Sequence, residues 1–256
     1  MKNISLYTDN GSWLTKVHPL TKLLYTITAI AIPLILGKLW AFPIMILITI
    51  FILTANRLLR KALPLFIFSI TIIAVIFIIQ GIFNQQNEHI LFSMGPINFY
   101  TEGVLYACRI SGNIFNILFS FAVFILSTDP EVFVTELEKR GFLPKFGYIL
   151  NSVFQIIPQM MGTSDTIQDA QKSRGMETEG NLAVRAKAFI PLISPVVMSS
   201  LINTKERALA LEVRGFGSKN KKTWLHEWKK HPGDRFLGIF LVALIAFSVF
   251  LRIFVL

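Results

Sequence analysis

Residues 63–83 read LPLFIFSITIIAVIFIIQGIF, an apolar run without a single charged side chain. The hydrocarbon core of a bilayer is about 30 Å thick, and a helix needs roughly 20 apolar residues to cross it. The run therefore predicts a membrane-spanning helix. Its two flanks differ in charge. Residues 56–62 carry Arg57, Arg60 and Lys61, whereas residues 84–102 contain no Lys or Arg at all. Because Lys and Arg collect on the cytoplasmic side of membrane proteins, the helix is expected to run from the cytoplasm outward.

Working outward from this helix, residues 23–36 and 39–55 are two shorter apolar runs parted by Gly37 and Lys38, with Trp40 where an interfacial aromatic would sit. A tight helical hairpin fits them, with Lys16, Lys22, Arg57, Arg60 and Lys61 on one face. A single long helix would bury Lys38 and split those flanks across the membrane. Residues 103–127 form a further span, interrupted by Arg109; a charge inside a span is a functional candidate, and about a turn from the outer end it equally suits snorkelling to the interface. Residues 236–256 form the last. The chain thus reads as an all-α, polytopic membrane protein with about five transmembrane helices and a cytoplasmic N-terminus. Residues 1–127 are expected to be a membrane domain of four spans, 128–235 a cytoplasmic helical domain, and 236–256 a final transmembrane helix ending outside.

Composition agrees with this class: 53% of residues are hydrophobic and 23 are Phe, more than a soluble surface of this size hides readily. The net charge of +10 lies between or beside apolar runs, and no nucleic-acid module accompanies it. Cys108 is the one cysteine, so neither a disulfide framework nor a Cys-rich metal site is expected within the chain. The polar residues 1–11 lack the apolar core of a signal peptide and are expected to remain in the mature protein.

Residues 128–235 hold two moderately apolar pieces, 146–157 and 189–202. Each is about a dozen residues long, and Pro158, Pro191 and Pro195 fall in or against them. Short length and proline suit cytoplasmic helices lying on a partner or on the membrane. Were both to cross, Lys172, Arg174, Arg185 and Lys187 would lie outside, against the bias of every other loop. In the same segment Ala-x-x-x-Arg-Gly occurs twice, as Ala170, Arg174, Gly175 and as Ala210, Arg214, Gly215. Each copy follows a helix-forming stretch, 166–172 or 204–212, with Pro158 expected before the first helix and Pro195 before the second. Gly in the left-handed conformation ends a helix, which places each Arg in the last helical turn. There the negative end of the helix dipole favours its charge, and its planar fork projects past the tip toward a carboxylate on another protein. One such end is ordinary capping; a repeated one points to two matched contacts.

These residues resemble the T component of energy-coupling factor transporters, the EcfT/CbiQ-like family. The resemblance rests on Ile157-Pro158 through Ala170-Gln171-Lys172-Ser173-Arg174-Gly175, on Pro191-Leu192-Ile193-Ser194-Pro195, and on Leu209 through Arg214-Gly215-Phe216-Gly217. Further matches are His18-Pro19-Leu20-Thr21-Lys22-Leu23-Leu24, Ser127-Thr128-Asp129-Pro130 and Gly141-Phe142-Leu143-Pro144. Nearly the whole chain is covered. Ser173 and Val213 depart from the family's usual Ala before each Arg, and His18 and Leu20 stand around Pro19 where Asp-Pro-Arg is common.

The resemblance implies two long Arg-tipped coupling helices in a prokaryotic plasma membrane protein. Ser173, Arg174, Gly175, Val213, Arg214 and Gly215 would dock two ATPase subunits, which bind the ATP, so that the chain itself needs no cofactor. A separate substrate-binding membrane component would contact the apolar faces of these helices: Phe154, Ile157, Met160 and Met161 on one, Val197, Met198 and Leu201 on the other. Flexible Met side chains can repack against different partners; equally, these residues could cement the two helices together. Lys221, Lys222, Trp224 and Trp228 read as an anchor on anionic lipid. Other classes find little support. His18, His89, His226 and His231 are scattered, no span holds paired carboxylates, and no Gly-rich phosphate loop is present. Little internal symmetry speaks against a self-contained secondary transporter, and a conventional permease would carry one coupling helix, not two. Vitamins and transition-metal ions such as cobalt or nickel are both carried by systems of this type, and the sequence does not choose between them.

Overall fold

The computed structural model describes residues 7, 11–83, 89–94, 97–176, 181–218, 223 and 232–254. In chain order its elements are α1 (Trp13–Lys16), α2 (Pro19–Leu36), α3 (Ala41–Ala55), α4 (Leu59–Phe83), β1 (Ile90–Met94), β2 (Ile97–Tyr100), α5 (Thr101–Ser127), α6 (Pro130–Lys139), α7 (Pro144–Ser173), α8 (Leu182–Val213) and α9 (Pro232–Phe254). The helical class is as expected. The hairpin β1–β2, antiparallel with Phe92 opposite Phe99, is an addition in the loop after α4. Two compact units emerge: α1 to α6 (up to Glu136) with α9, and the chain from Leu137 through α8.

In the first unit, α2, α4, α5 and the apolar part of α9 are long and apolar enough to cross a membrane, while α3 is apolar but only 15 residues long. The break between α2 and α3 is sharp. Gly37 has a φ of 64°, a left-handed conformation that glycine adopts without strain, and Lys38 and Trp40 are exposed beside it. The expected hairpin therefore forms. Helix α5 is the hub, packing on α2, α3 and α4, while α9 packs on α2. Its inward face is built from small residues, among them Gly103, Ala107, Ser111, Ser120 and Ala122, which let neighbouring backbones approach closely. Between them Phe119 stacks on Phe115 at 4.6 Å and meets Phe66 edge-on at 4.3 Å. The outward face of α4 stays apolar, with Ile67, Phe68, Val75 and Phe83 all exposed, as lipid contact requires.

Several polar groups inside this unit are paired across helices. Pro33 lacks an N–H and so leaves the Ala29 carbonyl without its intrahelical donor; Asn116 of α5 donates to that oxygen at 2.7 Å. Lys22, expected among the solvated basic flanks, is instead buried, and its Nζ donates to the Ser127 carbonyl at 2.6 Å, neutralising the C-terminal end of α5. Arg252 does the same service for α2, donating to the Ile35 carbonyl at 2.6 Å. His18 caps α2: Nδ1 accepts from the Leu20 amide at 3.2 Å, so Nε2 holds the proton and donates to Glu136 at 3.0 Å. The ring thus fills the capping role for which Asp is a common choice.

Candidate functional site

The second unit consists chiefly of α7 and α8, 30 and 32 residues long. The two apolar pieces read from the sequence are parts of these longer helices. Pro158 lies inside α7, and Pro191 and Pro195 lie inside α8, so none of them precedes its helix. A mid-helix proline frees the carbonyl four residues back and costs about 3 kcal/mol where nothing compensates. Here Phe154, whose carbonyl Pro158 frees, is exposed, where solvent can satisfy it.

Ile156, Gln159, Met160 and Thr163 of α7 share one helical face with the spacing of successive turns. Together with Ser200, Asn203, Thr204, Arg207 and Ala210 of α8 they line an open cleft of about 330 Å³. Nearer the start of α7, Tyr148 packs against Phe216, just past the end of α8, with ring centroids 4.9 Å apart. Earlier residues of α7 therefore meet later residues of α8, and the helices run antiparallel. Their C-terminal tips point to opposite ends of the pair. With about 1.5 Å rise per residue over the 25 positions from Tyr148 to Ser173, the tips stand on the order of 35 Å apart.

Both tips close in the same way. At the first, the Gly175 amide donates to the Lys172 carbonyl at 2.9 Å and the Met176 amide to Gln171 at 3.1 Å. At the second, Gly215 donates to Glu212 at 2.9 Å and Phe216 to Leu211 at 3.0 Å. This is the paired pattern in which a left-handed residue ends a helix; φ is 86° at Gly175 and 73° at Gly215. The helices end at Ser173 and Val213, so each Arg occupies the cap position, one residue beyond the last turn in which the sequence places it. The reversal at Gly accounts for the shift. Ser173, Arg174, Gly175, Arg214 and Gly215 are exposed, and Val213 reaches 88% exposure. Two guanidinium forks thus project from dipole-favoured helix ends, able to take carboxylates from another protein.

The expected apolar contact residues separate into two groups. Phe154, Ile157, Met161, Val197, Met198 and Leu201 are exposed, whereas Met160 faces the cleft between the helices, as does its neighbour Ile156. Sequence reading missed how far the apolar face of α7 extends: Leu143, Phe146, Ile149, Leu150 and Val153 are exposed as well, a stripe whose three- and four-residue spacing is visible in the sequence. Lys221, Lys222, Trp224 and Trp228 lie outside the described residues. Arg109 is exposed on α5.

The family model described as "Cobalt transport protein" (CbiQ) matches residues 10–225, through both Arg-Gly tips. An energy-coupling factor transporter transmembrane protein EcfT of Staphylococcus aureus is 30% identical over 248 residues, covering 90% of each chain. The EcfT of Lactococcus lactis is 26% identical, covering 92% of each, and that of Listeria innocua 24%, covering 96%. With a helical membrane unit, a separate pair of long helices and a match across both tips, the chain belongs to the CbiQ/EcfT family as a non-catalytic transmembrane T component of energy-coupling factor transporters.

Proposed function

We propose that this subunit grips two ATPase subunits, one through Arg174 and one through Arg214, and passes their ATP-driven closure to a membrane-embedded substrate-binding component. The cargo is a vitamin or another micronutrient. The N-terminus and the α7–α8 pair lie in the cytoplasm, ATP is held by the ATPases alone, and the basic, Trp-containing segment before α9 rests on anionic lipid. The observation that carries the reading is the pair of identically closed, exposed Arg-Gly ends at opposite ends of one antiparallel helix pair. A motor that closes in two halves needs two grips, set apart and joined by a stiff element that has discrete positions. The exposed apolar faces of α7 and α8 suit a partner that takes up the resulting motion.

The double replacement Arg174→Glu, Arg214→Glu puts carboxylates where cations met acidic grooves. ATP-driven uptake in reconstituted vesicles is expected to fall at least tenfold, with membrane insertion intact; unchanged uptake would reject the grip. Because the matched family is described by cobalt transport, a dedicated cobalt or nickel importer is the second reading. Comparing uptake of labelled vitamins with that of labelled cobalt, in the complex purified with its native partners, separates the two.

A further inference from the structure

Helix α6 ends as α7 and α8 do. Residues 137–142 read Leu-Glu-Lys-Arg-Gly-Phe and residues 211–216 read Leu-Glu-Val-Arg-Gly-Phe, identical but for one position. The hydrogen bonds repeat too: Gly141 donates to Glu138 at 3.0 Å and Phe142 to Leu137 at 3.1 Å, matching the bonds at Gly215 and Phe216. Gly141 takes a φ of 105°, and Arg140 is exposed at the cap position. The second unit therefore carries a third Arg-Gly tip.

Its position is the informative part. The Glu138 side chain lies against Gly147 in the first turn of α7, where a Cβ would run into the carboxylate. The next residue, Tyr148, is the one that packs on Phe216 beyond the α8 tip. The Arg140 and Arg214 tips are thus neighbours at one end of the α7–α8 pair, separated by on the order of 20 Å, about two helix diameters. Arg174 stands at the opposite end. Beside the two neighbouring tips lie Phe142 and Phe146, exposed and 6.3 Å apart between ring centroids, and the exposed Phe216. Aromatic area flanked by arginine is the composition of a protein-binding surface. A standard interface buries about 800 Å² per partner and is roughly 30 Å across, enough to cover both tips at this end but not to reach Arg174.

We propose that Arg140 and Arg214 form one composite dock for a single ATPase subunit, while the other ATPase is held at Arg174 by one tip. This rests on the proposed grip of the ATPases and adds to it an asymmetry: the two motors are held with unequal strength. The partner surface is acidic, since Lys139, Arg140, Lys145 and Arg214 at this end outnumber the exposed Glu212, while Glu138 is turned inward.

The test uses the full complex, purified through a tag on this chain and washed with increasing salt. Arg140→Glu is expected to release one ATPase about ten times faster than the unaltered complex does, leaving the other bound, and Arg214→Glu to release the same one. Arg174→Glu should release the other. In a chain whose Cys108 is replaced by Ala, Lys139→Cys and Val213→Cys are expected to cross-link to the same ATPase, with Arg140 left in place as a check on folding. If Arg140→Glu keeps both ATPases and Lys139→Cys gives no cross-link, while Arg214→Glu still releases one, the composite dock is wrong and the two-grip reading stands. If neither Arg174→Glu nor Arg214→Glu releases an ATPase, the underlying reading fails as well.

Discussion

Two prolines show how differently the two units are built. Pro33 in α2 frees the Ala29 carbonyl, and Asn116, almost wholly buried, supplies the missing donor from another helix. Pro158 in α7 frees the carbonyl of Phe154, a residue on an exposed face. The first unit answers three open carbonyls with side chains from neighbouring helices: Asn116 for Ala29, Lys22 for Ser127, Arg252 for Ile35. Away from water, such a carbonyl has only protein donors to turn to. In the second unit α7 and α8 meet along a single seam and leave large apolar side chains outward. One unit closes these carbonyls from within; the other is shaped for surfaces it does not contain.

Placing the same substitution in both units tests this contrast most severely. A Cβ at Gly103 would collide with the backbone carbonyl of Gln80, fixed within α4. A Cβ at Gly147 would meet Cγ, Cδ and Oε1 of the buried Glu138 side chain, which must turn to another rotamer. Gly103→Ala is therefore expected to push α4 and α5 apart and to destabilise the first unit by about 3 kcal/mol, the upper range for overpacking a tight core. Gly147→Ala should cost less, about 1 kcal/mol, because a rotamer change and not a helix displacement relieves the contact. Thermal unfolding of the detergent-solubilised chain measures both; equal losses would show that the second unit is as tightly determined as the first.

A smaller effect is expected from Asn116→Leu, which keeps the branched skeleton and removes the donor. The Ala29 carbonyl is then left in an apolar setting, at a cost of about 1 kcal/mol, since polar pairs between membrane helices are worth roughly 0.6 to 2 kcal/mol. Replacing Pro33 by Ala in the same chain restores the amide donor within α2 and should recover most of the loss. Failure to recover would mean that Asn116 acts through packing and not through its bond to Ala29.

The sequence exposed the features governed by local rules. Apolar run length located the membrane helices, Gly37 marked the break between α2 and α3, and Gly175 and Gly215 marked the tips. What escaped it depends on partners distant in the chain. Lys22 looks like a flank because the carbonyl that holds it belongs to Ser127, 105 residues away. The prolines of α7 and α8 read as boundaries because local propensity says they should be, yet both helices continue through them, at Pro158 with the freed carbonyl on an exposed residue. The Arg140 tip was readable as a repeat of residues 211–216, yet its meaning comes only from the contact between Tyr148 and Phe216.

The smallest expected effect on stability is also the most telling about the outward faces. Met198 and Leu201 are 60% and 61% exposed on α8, so truncating both to Ala removes little packing within the chain. Unfolding of the isolated subunit should shift by no more than about 2 °C, consistent with a change within about 0.5 kcal/mol. If a partner covers this face, the same truncations delete contacts made only in the complex, and ATP-driven uptake should drop several-fold while ATPase retention at the Arg tips is unchanged. A loss of stability in the isolated chain would instead assign these side chains to holding α7 and α8 together, as Met160 and Ile156 do along the cleft. Normal stability with normal uptake would leave the face without an energetic role and move the search for the partner surface to Phe146, Ile149 and Val153 on α7.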